Sequence, residues 1–190
     1  PTESGTTSVV FNFTATDVDG ASNINLSSDQ ASFNKSGETT RSNTSCVNLT
    51  AGVGNNINFT CTILMYYFDG SGSWSINATV KDNSGATAEN SSTTFTYNVL
   101  TAMAMSPTAL TWPTVGLTEV DTGSNNDPIV INNTGNDVNL EINVTGIDLR
   151  GETTATQNIS ARNFTVQNAT QGCSGTALVN NSAQNITTAV

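Results

Sequence analysis

Fifteen asparagines stand in the pattern Asn-x-Ser/Thr, the acceptor sequence for N-linked glycans. They are Asn12, Asn25, Asn34, Asn43, Asn48, Asn58, Asn77, Asn90, Asn132, Asn143, Asn158, Asn163, Asn168, Asn180 and Asn185. With 26 Asn, and with Ser and Thr at 52 of 190 positions, chance would give about seven such sites. The count is about twice that, although a chain rich in Asn, Ser and Thr inflates any such count.

The position of four of these sequons within alternating segments is more informative than their number. A β-strand places every second side chain on the same face, so a sequon can lie on a polar face opposite an apolar one. The asparagines that alternate with apolar neighbours in this way are Asn12, Asn58, Asn77 and Asn143. We therefore predict that these four carry glycans; a plain polar strand face is the alternative.

The cysteines suggest an oxidising compartment. Cys46 and Cys61 lie fifteen residues apart, and a disulfide between them would stabilise the fold by about 3 kcal/mol. Cys61 is in phase with the apolar face of its segment, whereas Cys46 is out of phase with Val47 and Leu49, which places it at a strand start or a bulge. Cys173 is left over, which suggests an intermolecular bridge or a partner elsewhere.

One acidic cluster suggests a weak calcium site. Asp17 and Asp19 precede Gly20, and Asp69 or Asp82 could join them, since oxygen ligands in a turn suit Ca²⁺. The EF-hand pattern is not met, because its twelfth position holds a serine. A β-turn that uses Asp and Gly for their backbone preferences is the alternative, and we predict no other metal or cofactor.

Catalytic chemistry is poorly supported. Without histidine the chain has neither Ser-His-Asp nor Cys-His catalysis, and it lacks the phosphate-binding glycine motifs. Paired carboxylates could serve a glycosidase, but the acids here lie mostly in turn-like stretches. We predict no catalytic residue and no enzyme activity.

Charge and hydropathy argue against nucleic-acid and membrane partners and against a membrane-spanning segment. The formal net charge is −10 with only five Lys and Arg, so neither nucleic acid nor an anionic membrane surface is an expected partner. The longest strongly apolar run, residues 63–68, is too short to span a bilayer. The sequence starts at a proline, so we expect any export signal to have been removed.

Short alternating segments separated by turn residues predict an all-β fold of two tandem immunoglobulin-like (Ig-like) sandwiches. The first covers residues 1–100, and the second, smaller and incomplete, covers 101–190. Strands are predicted in the first half at 8–16, 24–26, 46–50, 57–68, 73–80 and 93–100, and in the second at 108–112, 128–132, 137–147, 163–166, 177–180 and 186–190. The predicted core of the first half is Phe11, Phe13, Phe59, Ile63, Trp74, Ile76, Val80, Phe95 and Tyr97.

Two segments resemble a known group of proteins. Residues 74–86 look like the closing hairpin of PKD-like or Ig-like surface repeats, and residues 127–140 are similar to the I-x-N-T-G-N-x-[DV]-x-L stretch of archaeal extracellular Ig-like glycoproteins. The resemblance covers about a third of the chain. It implies a place in an archaeal cell envelope as an S-layer component, adhesin or surface filament subunit.

Together these observations predict an extracellular structural subunit of a cell-surface filament or S-layer. The alternative is an adhesin or carbohydrate-binding module, and assembly of the native protein into ordered polymers would discriminate the two. The expected partners are covalent glycans and further copies of the chain. We predict that copies complete each other's sheets, with residues 1–8 as donor strand and an open edge of the second domain as acceptor.

Overall fold

The computed structural model describes residues 1–49, 52–168 and 174–186. In these ranges the protein is all-β, with fifteen strands, two 3-10 helices at Ala21–Asn23 and Ala161–Asn163, and no α-helix. None of the described helices is long and apolar enough to cross a membrane. The predicted all-β class is therefore confirmed.

The chain divides into two compact units. Unit 1 comprises Pro1–Ala102 together with Thr134–Asp137, and unit 2 comprises Met103–Asn133 and Val138–Val190. The boundary after Ala102 lies close to the one expected at residue 100. The sequence reading placed residues 134–137 in the second domain, whereas they pack with the first.

Unit 1 is a sandwich of two antiparallel sheets. Its strands are β1 (Thr6–Thr16), β2 (Ile24–Asn34), β3 (Arg41–Asn43), β4 (Val47–Asn48), β5 (Asn56–Tyr66), β6 (Gly72–Asp82) and β7 (Thr87–Tyr97). One sheet has the order β1-β5-β4 and the other the order β3-β2-β6-β7.

Alternating apolar residues hold the two sheets together. β1 and β5 pair over their full lengths, so that Phe13 lies opposite Phe59 with ring centroids 5.1 Å apart. In the other sheet Phe33 of β2 contacts Phe95 of β7 at 4.6 Å. Trp74 is completely buried, and its indole N–H donates to the Gly70 carbonyl at 2.9 Å. A buried aromatic whose polar atom is also paired adds strongly to stability.

The core of unit 1 agrees largely with the predicted set. Five of the nine predicted residues are buried, namely Phe59, Ile63, Trp74, Val80 and Tyr97. The other four, Phe11, Phe13, Ile76 and Phe95, are half-buried and pack against the buried clusters. Phe33 and Met65 were missed, although both are fully buried.

Two strands are much longer than predicted. β2 continues eight residues past Leu26, because a bulge between Asn25 and Gln30 absorbs a break in the alternation. At this bulge the Ser28 hydroxyl donates to the Asn25 carbonyl and accepts from the Lys81 backbone N–H. β7 begins at Thr87, six residues before the predicted start, in a stretch that lacks large apolar residues.

Unit 2 is built from shorter strands. They are β8 (Met103–Ser106), β9 (Val130–Asn133), β10 (Asn143–Thr145), β11 (Leu149–Arg150), β12 (Asn158–Ile159), β13 (Thr165–Val166), β14 (Thr176–Ala177) and β15 (Ala183–Asn185). Among the described residues they pair two by two, as β8-β9, β10-β15, β11-β12 and β13-β14. Residues 108–112 form no strand, and 187–190 of the last predicted strand lie outside the described ranges.

Residues 134–137 join unit 1 through hydrogen bonds to residues 98–102. Asn136 is buried, its side-chain oxygen accepts from the Leu100 N–H at 2.6 Å, and its amide nitrogen donates to the Asp69 and Asn98 carbonyls. A Cβ on Gly135 would lie 2.0 Å from the Leu100 carbonyl oxygen, so this close approach requires glycine. Four residues from the second half of the chain therefore belong to unit 1.

Candidate functional site

The most distinctive surface of unit 1 is an open side of the sandwich. β1 is the outermost strand of one sheet and β7 the outermost strand of the other, and no further described strand pairs with either. Each outer edge is a row of backbone N–H and C=O groups available to an additional strand. β1 and β7 each have eleven residues, so both edges are long.

A groove of about 560 Å³ lies between these two strands. Its floor is apolar and includes Phe13, Ala15, Ile24 and Val80, which belong to or pack against the smaller of the two core clusters. We call this feature the edge groove; its full lining is Phe13–Asp17, Ile24, Ala78, Val80–Asp82 and Ala86–Asn90.

The inner face of β7 is uncovered along the edge groove. Ala88 lies opposite Val80 and Asn90 opposite Ala78, so both side chains point to the core side of their sheet. Both are nevertheless exposed, whereas Phe95 and Tyr97 farther along the same face are half-buried and buried. The inner face of β7 is therefore covered near Phe95 and Tyr97, whereas no described strand covers it near Ala88 and Asn90.

Charged residues are also part of the edge-groove lining. Asp17 and Asp82 belong to it, and so do Lys81 and Glu89, whose side chains alternate with Val80 and Ala88 and point to the outer face of the sheet. The Ser84 hydroxyl donates to Asp82 at 2.7 Å and holds the pKa of that carboxyl below its usual value, with further help from the Ala86 N–H.

The sequon asparagines are all at least partly accessible. Eleven are exposed and four, Asn25, Asn34, Asn43 and Asn77, are half-buried. Most of the other asparagines are exposed as well, so accessibility alone does not distinguish the sequons. For Asn48, Asn168 and Asn185 the Thr of the sequon lies outside the described residues.

Two sequons lie opposite each other, on β1 and β5, on the outer face of the β1-β5-β4 sheet. Asn12 lies opposite Thr60, and Thr14 lies opposite Asn58, where its hydroxyl donates to the Asn58 side-chain oxygen at 2.7 Å. Both asparagines are exposed, as the strand phase predicts. Asn143 is likewise exposed on β10.

Asn77 differs from these three. It lies on the outer face of β6, but β2 and β7 flank it on both sides and leave it half-buried. Its amide nitrogen, the atom to which a glycan would attach, donates to Glu89 Oε1 at 2.7 Å. Similar bonds engage the amide nitrogens of Asn34 and Asn43, with Ser32 Oγ and the Thr62 carbonyl as acceptors.

The predicted disulfide between Cys46 and Cys61 is present. Its Cα atoms are 4.5 Å apart, which is typical of directly opposed residues on antiparallel strands. Cys46 precedes β4 and faces the core, whereas Val47 and Leu49 point outward and are exposed. The apparent phase conflict arose because those two apolar residues do not face the core. Cys173 lies outside the described residues.

The acidic residues considered for calcium form hydrogen bonds and an ion pair within the protein. Asp17 accepts from the Asp19 N–H at 2.8 Å and from the Asn23 side chain at 3.0 Å, which is the alternative turn interpretation. Asp69 is fully buried and binds Arg41. Within the described residues no three acidic or cysteine side chains are grouped to hold a metal ion.

Sequence reasoning missed a cluster around Arg41. The Arg41 guanidinium forms hydrogen bonds with both carboxylate oxygens of Asp69, and it lies 4.5 Å from the centre of the Tyr66 ring. This pairing raises the pKa of Arg41 above its ordinary value. Phe68 stacks on Tyr66 at 5.3 Å and is about half exposed. Arg41 and Asp69 are 28 residues apart, so no local pattern connects them.

No family model, curated protein or solved structure matches the chain.

Proposed function

We propose that the protein is a structural subunit of an extracellular, N-glycosylated cell-surface assembly. In this proposal the edge groove of unit 1 accepts an extended segment from a second copy of the chain. The segment would pair with the open backbone edges and place alternate side chains on the apolar floor.

The observation that carries this proposal is the uncovered inner face of β7 at the edge groove. Ala88 and Asn90 point to the core side but stay exposed, because no described strand covers them. An added strand would satisfy backbone groups of β1 or β7 and would cover the exposed side chain of Ala88. A contact between two different surfaces of identical subunits does not close on itself, and it therefore favours a filament.

The acceptor and the donor both differ from the sequence prediction. The open edge was expected in the second domain, and the structure offers one in unit 1. Residues 1–8 were expected to leave the chain as a donor, but Thr6–Ser8 already pair with Leu64–Tyr66 in their own sheet. The Ser4 N–H also donates to the Thr134 carbonyl.

Placement outside the cell belongs to the same proposal. A disulfide and fifteen sequons are typical of exported proteins. We further propose that unit 1 is an Ig-like sandwich and unit 2 a smaller one, as in the archaeal surface glycoproteins that residues 74–86 and 127–140 resemble. The absence of histidine supports a non-catalytic role.

A bulky residue in the edge groove tests the proposal. Ala88→Trp would fill the groove from an exposed position, so the fold should survive while polymers are lost. Thr94→Trp places the same side chain on the same strand but on the outer face, since Thr94 lies opposite Ser75 and is exposed. Electron microscopy and sedimentation of both variants report assembly. Polymers that form normally with Ala88→Trp would refute strand insertion at this site.

The aromatic cluster favours the second candidate, a carbohydrate-binding module. Exposed Phe68, stacked on Tyr66 and in edge contact with Tyr67 at 5.1 Å, offers an apolar ring to the C–H face of a sugar. Glycan-array binding that Phe68→Ala abolishes, in protein that stays monomeric, would favour this function over assembly.

A further inference from the structure

Asn90 stands apart from the other sequons that lie on unit 1 because it lines the edge groove. It lies opposite Ala78, whose side chain also lines the groove, so the Asn90 side chain starts on the inner face of the sheet. Asn12 and Asn58, by contrast, lie on the outer face of the opposite sheet. A substituent on Asn90 would therefore begin inside the mouth of the edge groove.

The amide of Asn90 is held in a geometry that leaves its nitrogen available. Its side-chain oxygen accepts from the Ser92 N–H at 2.9 Å and from the Ser92 hydroxyl at 2.7 Å. Ser92 is the hydroxyl residue of the same sequon. Within the described part of the chain the Asn90 amide nitrogen has no hydrogen-bond acceptor, and the residue is exposed.

Asn77 supplies a contrast on the neighbouring strand. Its amide nitrogen donates to Glu89 at 2.7 Å, and its side-chain oxygen is buried without a hydrogen-bond partner in the described structure. A glycan on Asn77 would replace one of the two hydrogens of an amide nitrogen that already donates to Glu89, whereas the Asn90 nitrogen makes no such bond among the described residues. The two sequons of this sheet therefore differ in whether the amide nitrogen that would react already donates a hydrogen bond.

We infer that Asn90 is modified with a saccharide, and that this glycan and an inserted strand exclude each other from the edge groove. In the modification the amide nitrogen forms a bond with the anomeric carbon of a phosphate-activated, lipid-linked saccharide. The bond from that carbon to the phosphate oxygen breaks, the phosphate leaves with the electron pair, and the nitrogen loses one proton. The glycan acts as a cap that keeps a subunit from accepting a neighbour.

The inference rests on the proposed strand insertion, and glycopeptide mass spectrometry of two fractions tests it. Native protein is separated by sedimentation into assembled and unassembled fractions, and the occupancy of Asn90 is compared with that of Asn12. Occupancy of Asn90 should be about tenfold lower in polymers, a ratio equivalent to about 1.4 kcal/mol. Occupancy of Asn12 should be equal in the two fractions.

Two variants test the same inference through assembly. Asn90→Gln removes the cap and should raise the assembled fraction, whereas Asn12→Gln removes a sequon from the outer face and should leave assembly unchanged. Equal Asn90 occupancy in both fractions, or a bare Asn90 in both, overturns the inference while strand insertion stands. Complete absence of polymers in native material, with groove variants behaving like the unchanged protein, overturns both.

Discussion

Unit 1 and unit 2 have the same Asn, Ser and Thr-rich character, yet they differ in how much core they bury. β1, β5 and β6 of unit 1 carry alternating apolar residues, and the clusters of this unit contain Trp74, Phe33 and Phe59 without any exposure. In the described part of unit 2 only Leu140 and Ala161 are buried apolar residues. Its two aromatics, Trp112 and Phe164, contact each other with ring centroids 6.1 Å apart, and Trp112 is about half exposed.

Long alternating strands, rather than polarity, set the stability of such a chain. An eleven-residue strand places five or six side chains on one face, so a few aromatics suffice to hold two sheets together. Strands of two to four residues bury too little to do the same. We therefore expect the free energy of unfolding to be larger for unit 1.

The largest effect should come from truncating the tryptophan of each unit. Trp74→Ala should lower the stability of unit 1 by about 3–5 kcal/mol, because it empties the centre of the core and leaves the Gly70 carbonyl without its donor. Trp112→Ala in unit 2 should cost less than about 1 kcal/mol, since its side chain is half exposed. Hydrogen exchange measured on peptides from each unit reports the two losses separately. Similar losses in both units would contradict the comparison.

The next effect should come from the disulfide. Cys46→Ala opens the bridge but keeps the buried sulfur of Cys61 in the core, so the loss reports the cross-link itself. The expected loss is about 3 kcal/mol for a loop closed over fifteen residues. It should appear in urea unfolding of unit 1.

Val47→Ala is the matched control for the disulfide variant. Val47 is the next residue and is 62% exposed, so its truncation should change stability by less than about 0.5 kcal/mol. A loss with Cys46→Ala no larger than this would show that the bridge adds nothing to the folded unit.

A third effect concerns the residues that close unit 1 from the second half of the chain. Asn136→Ala removes three side-chain hydrogen bonds and takes these partners from the half-buried Leu100 N–H and from the buried Asp69 carbonyl. We expect unit 1 to lose about 2–3 kcal/mol. Asn98→Ala keeps the Asn98 carbonyl and removes only an exposed side chain, so it should be nearly neutral. Equal effects would mean that residues 134–137 do not stabilise unit 1.

Particular residues show how far the sequence predicts this fold. Phe13, Phe59 and Trp74 were assigned correctly because they alternate with polar residues, and strand period alone orients them. Phe33 was missed because Ser27, Ser28 and Asp29 interrupt the alternation, and only the pairing of β2 with β6 across a bulge restores its register. The limits of β7 were missed for a similar reason, since its exposed half carries no apolar signal.

The candidate site was less predictable than the core. The sequons identify attachment chemistry, but the bond from Asn77 to Glu89 depends on which strands become neighbours. The edge groove depends on two strands, β1 and β7, that are about seventy residues apart and belong to different sheets. No local pattern shows that both lie at open edges. Likewise, the sequence around Asn136 predicts an ordinary turn, and only its contact with Leu100 shows that this side chain helps to close unit 1.

The smallest expected effect is a loss of stability at alkaline pH that is confined to unit 1. All three tyrosines of the chain, Tyr66, Tyr67 and Tyr97, lie in unit 1. Burial raises the pKa of Tyr97 above its ordinary value of 10.0, against a smaller opposing effect of a hydrogen bond with Thr7. The folded state therefore holds the phenol proton more tightly than the unfolded state. This contribution is complete below pH 10 and is lost as the pH rises through the folded-state pKa, so the free energy of unfolding should fall there.

Tyr97→Phe should cost about 1 kcal/mol at neutral pH, because the hydroxyl donates to the Tyr66 carbonyl at 3.2 Å, and it should flatten the alkaline decline. Urea unfolding between pH 8 and about pH 11, with hydrogen exchange to separate the units, measures both changes. An alkaline decline of the same slope in Tyr97→Phe would show that another group causes it, and an equal decline in unit 2, which has no tyrosine, would remove the difference between the units.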